Sequence, residues 1–323
     1  MGILTRYKNG NYQVTILDDG TKIRENDLDF FDADRPESID LTVTYKCGMG
    51  CPYCYQGCTK GGTTCDFDDP IVDTFPEGLE VAIGASGGVF GDNVYKFESF
   101  LKRLKDKKCI PNITVNQYHF IKNKLIIKKW ISENLVYGVG VSISSDLKNF
   151  NGLSKVMQEF LKDGLNNNIV IHTIAGIHTV EHFKTISGIY KTKDKKPKVL
   201  ILGYKNIGRG ENYGDSFGEI IKNNIDSIKK NIVPIGASLF EVLSFDNPAI
   251  DQLELKKTVP KEVWDIHYLG DDGTSTFYVD LVKQTFSVSS LSTETFSMKD
   301  FNDINSMFMH VKNIKKEREN KNN

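Results

Sequence analysis

Leu41-Thr-Val-Thr-Tyr-Lys-Cys47-Gly-Met-Gly-Cys51-Pro-Tyr-Cys54-Tyr-Gln-Gly-Cys58-Thr-Lys-Gly-Gly62 begins as a strand and ends as a loop of thiols and glycines. Leu41, Val43 and Tyr45 alternate with Thr42 and Thr44, the period of a β-strand. Cys47, Cys51 and Cys54 then follow with three and two residues between them. Gly48, Gly50 and Pro52 let the intervening backbone curl, so three thiolates can share one metal site. A 4Fe-4S cluster normally takes four Cys ligands. With three supplied, one iron keeps an open position, by the logic that separates catalytic from closed structural metal sites.

The run Cys47-Gly-Met-Gly-Cys51-Pro-Tyr53-Cys54 resembles the signature of the radical S-adenosylmethionine (SAM) enzymes, including the aromatic residue before the third Cys. The resemblance implies a partial barrel of six β/α units and a cluster held by Cys47, Cys51 and Cys54. It also implies SAM chelated on the open iron and cleaved reductively to a 5'-deoxyadenosyl radical that takes hydrogen from a substrate. The Tyr53 backbone would lie beside the adenine. A flavodoxin or ferredoxin-type reductant is implied as well. Two other readings stay open: a non-catalytic iron-sulfur or electron-transfer protein, and a structural zinc site in an interaction protein. Zinc sites usually pair two Cys-x-x-Cys or Cys/His units, and no second pair occurs downstream.

The 323 residues suffice for one large α/β unit or two modest domains. With 41 basic against 42 acidic residues, no global field recruits nucleic acid or a membrane. No signal-peptide h-region opens the sequence and no apolar run approaches a membrane span, so a cytoplasmic location is expected. Four of the six cysteines fall within residues 47 to 58, which suits a reducing compartment rather than a disulfide scaffold.

Three parts are expected: an appendage over 1–36, a barrel over 37–240 and an extension over 241–323. In the first, Tyr12–Leu17 and Thr21–Arg24 flank Asp18-Asp19-Gly20 as a β-hairpin. In the second, strands are predicted near 39–45, 79–85, 112–118, 137–144, 168–174 and 198–204, with amphipathic helices between them. Val94, Phe97, Phe100, Leu101 and Leu104 form one apolar stripe, and Val156, Phe160 and Leu161 belong to another. In the third, the run Tyr268-Leu-Gly-Asp-Asp-Gly-Thr274 leads into a second hairpin, Phe277–Val282 with Phe286–Val288. A helix near 299–313 follows, with Phe301, Ile304, Met307, Phe308 and Val311 on its apolar side. This closing segment resembles that of uncharacterised radical SAM proteins from bacteriophage genomes.

The carboxyl ends of parallel strands, where such folds hold their sites, carry the remaining candidates. Gly87 and Gly88, in Gly84-Ala-Ser-Gly-Gly-Val-Phe-Gly91, stand where the family has Gly-Gly-Glu-Pro, whose backbone helps hold the SAM amino group. Val89 and Phe90 replace the Glu and Pro here. Asn116, Ser142 and Ser144 occupy positions resembling those that contact the SAM carboxylate or ribose. Lys205 or Arg209, between glycines, suits a carboxylate or phosphate. His178 and His182 read as a helix-start pair, since Thr179 stands where the two-His zinc motif has Glu. His172 reads as a core or substrate-facing residue. Cys58 and Cys65 read as packing or spectator residues, and Cys109 is left over. No motif identifies the substrate.

Overall fold

A computed structural model describes residues 2–28, 30–84, 87–192, 194–262, 264 and 272–322. Ala85, Ser86 and most of the 268–274 run lie outside the described residues. The protein is α/β, built on a mostly parallel sheet of ten strands beside a small antiparallel sheet.

The small sheet comprises β1 (Ile3–Asn9), β2 (Tyr12–Leu17) and β3 (Lys22–Glu25), all antiparallel. The β2–β3 hairpin is the one predicted; β1 adds a strand before it.

Six parallel strands follow at the predicted places: β4 (Ser38–Thr42), β5 (Glu80–Gly84), β6 (Ile110–Asn116), β7 (Gly138–Ser142), β8 (Ile169–Ile174) and β9 (Lys198–Leu202). Helices α1 (Val94–Asp106), α2 (Gln117–Lys122), α3 (Lys124–Ser132), α4 (Phe150–Lys162), α5 (Val180–Ser187) and α6 (Arg209–Asn231) stand between or after them. A seventh parallel strand, β10 (Val242–Phe245), pairs with β9. At the other side β11 (Thr276–Asp280) runs parallel to β4 and forms a hairpin with β12 (Thr285–Ser287), which pairs with β13 (Phe296–Ser297). The division suggested at 240–241 therefore falls inside one sheet.

The two faces of the sheet differ. Ile39, Leu41, Val81, Ile83, Ile113, Val115, Val139, Val141, Ile171, Val199 and Ile201 are buried in one cluster with Phe97, Phe100, Leu101 and Leu104 of α1 and Val156 and Phe160 of α4. Burying each such side chain contributes about 1.5–3 kcal/mol, so this helix-covered face holds the sheet together. Many of the alternate residues stay open to solvent even on central strands, although Thr42, Gly140 and Asp280 are buried. Asp40 and Ala82 are exposed, and Asn112, Thr114, Ser142, His172 and Tyr278 are half-buried. Register sets Tyr278, Asp40, Ala82, Asn112 and Gly138 in one row across five strands. Asn116, Ser142, His172, Leu200 and Ser244 form another. The result is a polar, accessible inner face.

The last helix runs Ile304–Asn322, with Ile304, Met307, Phe308 and Val311 buried and Phe301 just before it half-buried. No described helix is long and apolar enough to cross a membrane.

Candidate functional site

Because β4–β11 run parallel, their carboxyl ends share one rim, and the cysteine loop leaves β4 there. The loop is closed at its base. Tyr45 N donates to Thr63 O (2.8 Å), Cys47 N to Thr59 O (2.8 Å), Thr59 N to Tyr45 O (3.0 Å) and Cys65 N to Val43 O (2.9 Å). Inside it, Cys54 N donates to Cys51 O (3.3 Å) and Gly57 N to Cys54 O (3.1 Å). Cys47, Cys51 and Cys54 are all half-buried and free.

A second rim segment braces this loop. Arg209, the first residue of α6, donates from Nε to Cys51 O (2.9 Å) and from a terminal guanidinium nitrogen to Cys58 O (2.8 Å), while its backbone N reaches Cys54 O (3.1 Å). The preceding Gly208 has φ +60°, and a Cβ there would overlap the Tyr55 carbonyl. Only glycine meets both demands at low cost. The structure thus gives the Arg209 guanidinium to loop carbonyls, where the sequence suggested an anion. Lys205 lies 4.5 Å over the Tyr55 ring and donates to Ser290 Oγ (3.3 Å).

The thiols influence one another. Cys58, read from sequence as packing, is buried, and its Sγ donates to Gln56 Oε1 at 3.7 Å; interaction with Cys54 draws the Cys54 thiol down and pushes Cys58 up. Burial raises the Cys51 thiol, with the charges of Cys54 and Cys47 adding to the rise. Cys65 is half-buried against the core, and Cys109 is buried with its sulfur 3.7 Å from Pro76 O. These two are packing residues, as read for Cys65.

Gly87 and Gly88 open a short 3-10 turn after β5. A Cβ on Gly88 would overlap Thr44 Oγ1 and come 3.0 Å from Lys46 O; one on Gly87 would lie 2.8 Å from His119 Nε2 and 3.8 Å from Cys47 Cα. The glycines let this turn lie directly on the start of the cysteine loop. His119 Nε2 is buried without a hydrogen-bond partner.

The remaining candidates divide. Asn116 caps α2, its Oδ1 accepting from Tyr118 N at 2.8 Å. Ser142 ends β7 in the row with Asn116 and His172. Ser144 N donates to Gln117 Oε1 (3.1 Å). Tyr53 packs edge-on against Tyr213 of α6 at 5.8 Å. Burial pushes its phenol up to about 12 against a hydrogen bond with Ser145. His182 is held at both nitrogens, Nδ1 accepting from Thr179 N (3.1 Å) and Nε2 facing Ser145 O (3.0 Å); it completes a capping box with Thr179. His178 Nδ1 accepts from Ile174 N at 2.7 Å. The helix-start reading describes His182, whereas His178 bonds back to the end of β8 and its Nε2 is buried without a hydrogen-bond partner among the described residues. Burial lowers His172 to about 4, leaving a neutral imidazole on the inner face.

Asp40, Tyr55, His119, Tyr213 and Tyr278 were not singled out from sequence. For Asp40 a signal exists: a carboxylate between Ile39 and Leu41 in an alternating strand must face opposite to the core.

Among the described residues, no three His, Cys, Asp or Glu side chains converge as one metal ion requires. Cysteines bound to separate irons of a cluster need not meet at a point, and thiolates are its ligands. The soft donor set of Cys47, Cys51 and Cys54, the close-packed glycine turn and the orphaned His119 nitrogen fit a cluster with a polar co-ligand. Comparison with models of known protein families and with curated proteins finds no match to this chain.

Proposed function

We propose that this protein is a radical SAM enzyme with a single 4Fe-4S cluster, housed in a partial barrel of that family's type and acting on an unidentified substrate. The observation that carries the reading is the meeting of the three-cysteine loop with the Gly87-Gly88 turn, at the carboxyl rim of a parallel sheet whose inner face is polar and open. Cys47, Cys51 and Cys54 would hold the cluster. When bound, the cluster and SAM supply reductive cleavage and hydrogen abstraction. The chain supplies placement: Arg209 fixes the loop carbonyls, Tyr53 and Tyr213 wall one side, and Ser142 and His172 face the interior. A flavodoxin or ferredoxin-type reductant would deliver the electron, and a cytoplasmic setting would keep the thiols reduced.

The test is anaerobic reconstitution with iron and sulfide, chemical reduction and incubation with SAM. Release of 5'-deoxyadenosine is expected, abolished by Cys47→Ala, Cys51→Ala or Cys54→Ala and retained in Cys109→Ala. A reconstituted wild-type protein that neither binds nor cleaves SAM sinks the reading.

One observation favours a second reading. Cys58 places a fourth thiol against Cys54, and four cysteines would close a cluster for electron transfer. Such a protein would take up iron and sulfide, lose reducible cluster in Cys58→Ala, and ignore SAM.

A further inference from the structure

His119 lies in α2, one turn beyond the end of β6, with its ring stacked on Phe90 at a centroid separation of 5.7 Å and an interplanar angle of 12°. Phe90 is the residue standing where the family's motif has proline. The stack aims Nε2 at the Gly87 turn: the nitrogen is 2.8 Å from where a Gly87 Cβ would be, and that same point is 3.8 Å from Cys47 Cα. Phe90 also stacks with Trp130, 6.0 Å away at 17°, so the aromatic partner of the imidazole is itself held in place. Nothing among the described residues hydrogen-bonds Nε2, although it is buried. An unpaired buried polar nitrogen costs free energy that a ligand group can restore.

We propose that His119 is a ligand-positioning residue whose Nε2 hydrogen-bonds the α-amino-acid head group of SAM beside Gly87. This rests on the function proposed above. Such a head group offers both amino N–H donors and carboxylate oxygen acceptors, so an imidazole nitrogen finds a partner whether it accepts or donates. The side chain then makes a contact that Val89 and Phe90, being apolar, cannot make. Burial keeps the imidazole pKa below its usual value, with the Lys122 charge adding to the effect, which leaves the ring neutral at physiological pH.

Two probes separate positioning from packing. S-adenosylhomocysteine has the amino-acid head group; 5'-methylthioadenosine lacks it. Binding of each to the anaerobically reconstituted holoprotein is measured by calorimetry. His119→Phe keeps the stack on Phe90 and removes the nitrogen, and His119→Gln restores a polar nitrogen or oxygen near the Nε2 position. S-adenosylhomocysteine should bind His119→Phe about tenfold or more weakly than wild type. The methylthioadenosine affinity should stay unchanged, and His119→Gln should recover most of the loss. Equal affinities in wild type and His119→Phe, or an equal loss for both probes, overturns the proposal. Wild-type holoprotein that binds neither probe overturns the function itself, and the proposal with it.

Discussion

Asp40 is the residue at which the inner face becomes chemically specific. It reaches solvent and stands in register between Tyr278 on β11 and Ala82 on β5. It accepts no hydrogen bond among the described residues. Enclosure pushes its carboxyl up to about 6; Lys205 opposes the rise, while Asp272 and Asp246 add to it. A folded-state pKa above the unfolded one means the native state binds the proton more tightly, so this group costs stability as pH rises through that interval. Asp40→Asn should therefore stabilise the fold at pH 7–8, by about 1 kcal/mol after discounting for solvent screening, and leave it unchanged near pH 4. Urea midpoints at the two pH values measure this, and an equal effect at both would show that the carboxyl is not perturbed.

At the scale of elements, the cysteine loop depends on α6. Twelve residues from Cys47 to Cys58 contain little regular structure of their own, and the loop's carbonyls at Cys51, Cys54 and Cys58 are all taken by Arg209. A lysine carries the charge but not the planar fork that serves two carbonyls at once. Arg209→Lys and Arg209→Ala should both lower iron retained per protein after anaerobic reconstitution and desalting, the alanine variant more, while each still folds by circular dichroism. Iron content equal to wild type in Arg209→Ala would remove the brace from the account. The α6 N-terminus thus acts on the cysteine loop through the loop's backbone carbonyls.

Over the whole molecule, one buried carboxylate joins three remote parts of the chain. Glu37 is fully buried and accepts from Tyr12 on β2 (2.5 Å) and from Arg24 on β3 (2.9 Å), with Lys22 at 3.2 Å. Lys22 also pairs with Glu80 of β5 at 2.5 Å. The Glu37 backbone N donates to Ser275 O (2.8 Å), tying in the segment before β11. Burial pushes the Glu37 carboxyl up, but the Arg24 hydrogen bonds and the charges of Lys22 and Arg24 outweigh it and hold the pKa below 4.5. A depressed folded value contributes stability that is present above the unfolded pKa and lost as pH falls through the folded one. Removing one member of a buried charge network leaves the others uncompensated, so Glu37→Gln should cost about 3 kcal/mol or more at pH 7. The gap to wild type should narrow as pH falls below about 4. Denaturant unfolding across that range checks it; a gap independent of pH would mean packing, not charge, makes the difference.

Much of this architecture was legible because it rests on local pattern. The stripe Val94–Leu104, the Asp19-Gly20 turn and the apolar side of the last helix are local patterns, and the structure bears out the elements they predict; the strand read from the Leu41–Tyr45 alternation ends earlier, at Thr42. The spacing of Cys47, Cys51 and Cys54 is a property of one short stretch of sequence. Other features had no local signature. Val242–Phe245 is too short to read as a strand until β9 offers it a ladder, and the Phe277–Asp280 run shows a hairpin but not the parallel pairing to β4 more than two hundred residues away. Arg209, between glycines, reads as an anion site until three carbonyls from the cysteine loop reach it. His119 carries no sequence signal and Cys58 reads as packing, because their neighbours, Gly87 and Cys54, are set by how loops cross at the rim. The sequence by itself determined the strand and helix order and the thiol set, since periodicity and spacing are properties of neighbouring residues. Only the tertiary structure decided which groups share the rim and which histidine nitrogens, those of His119, His172 and His178, stay unpaired, because hydrogen-bond satisfaction and burial depend on segments far apart in the chain.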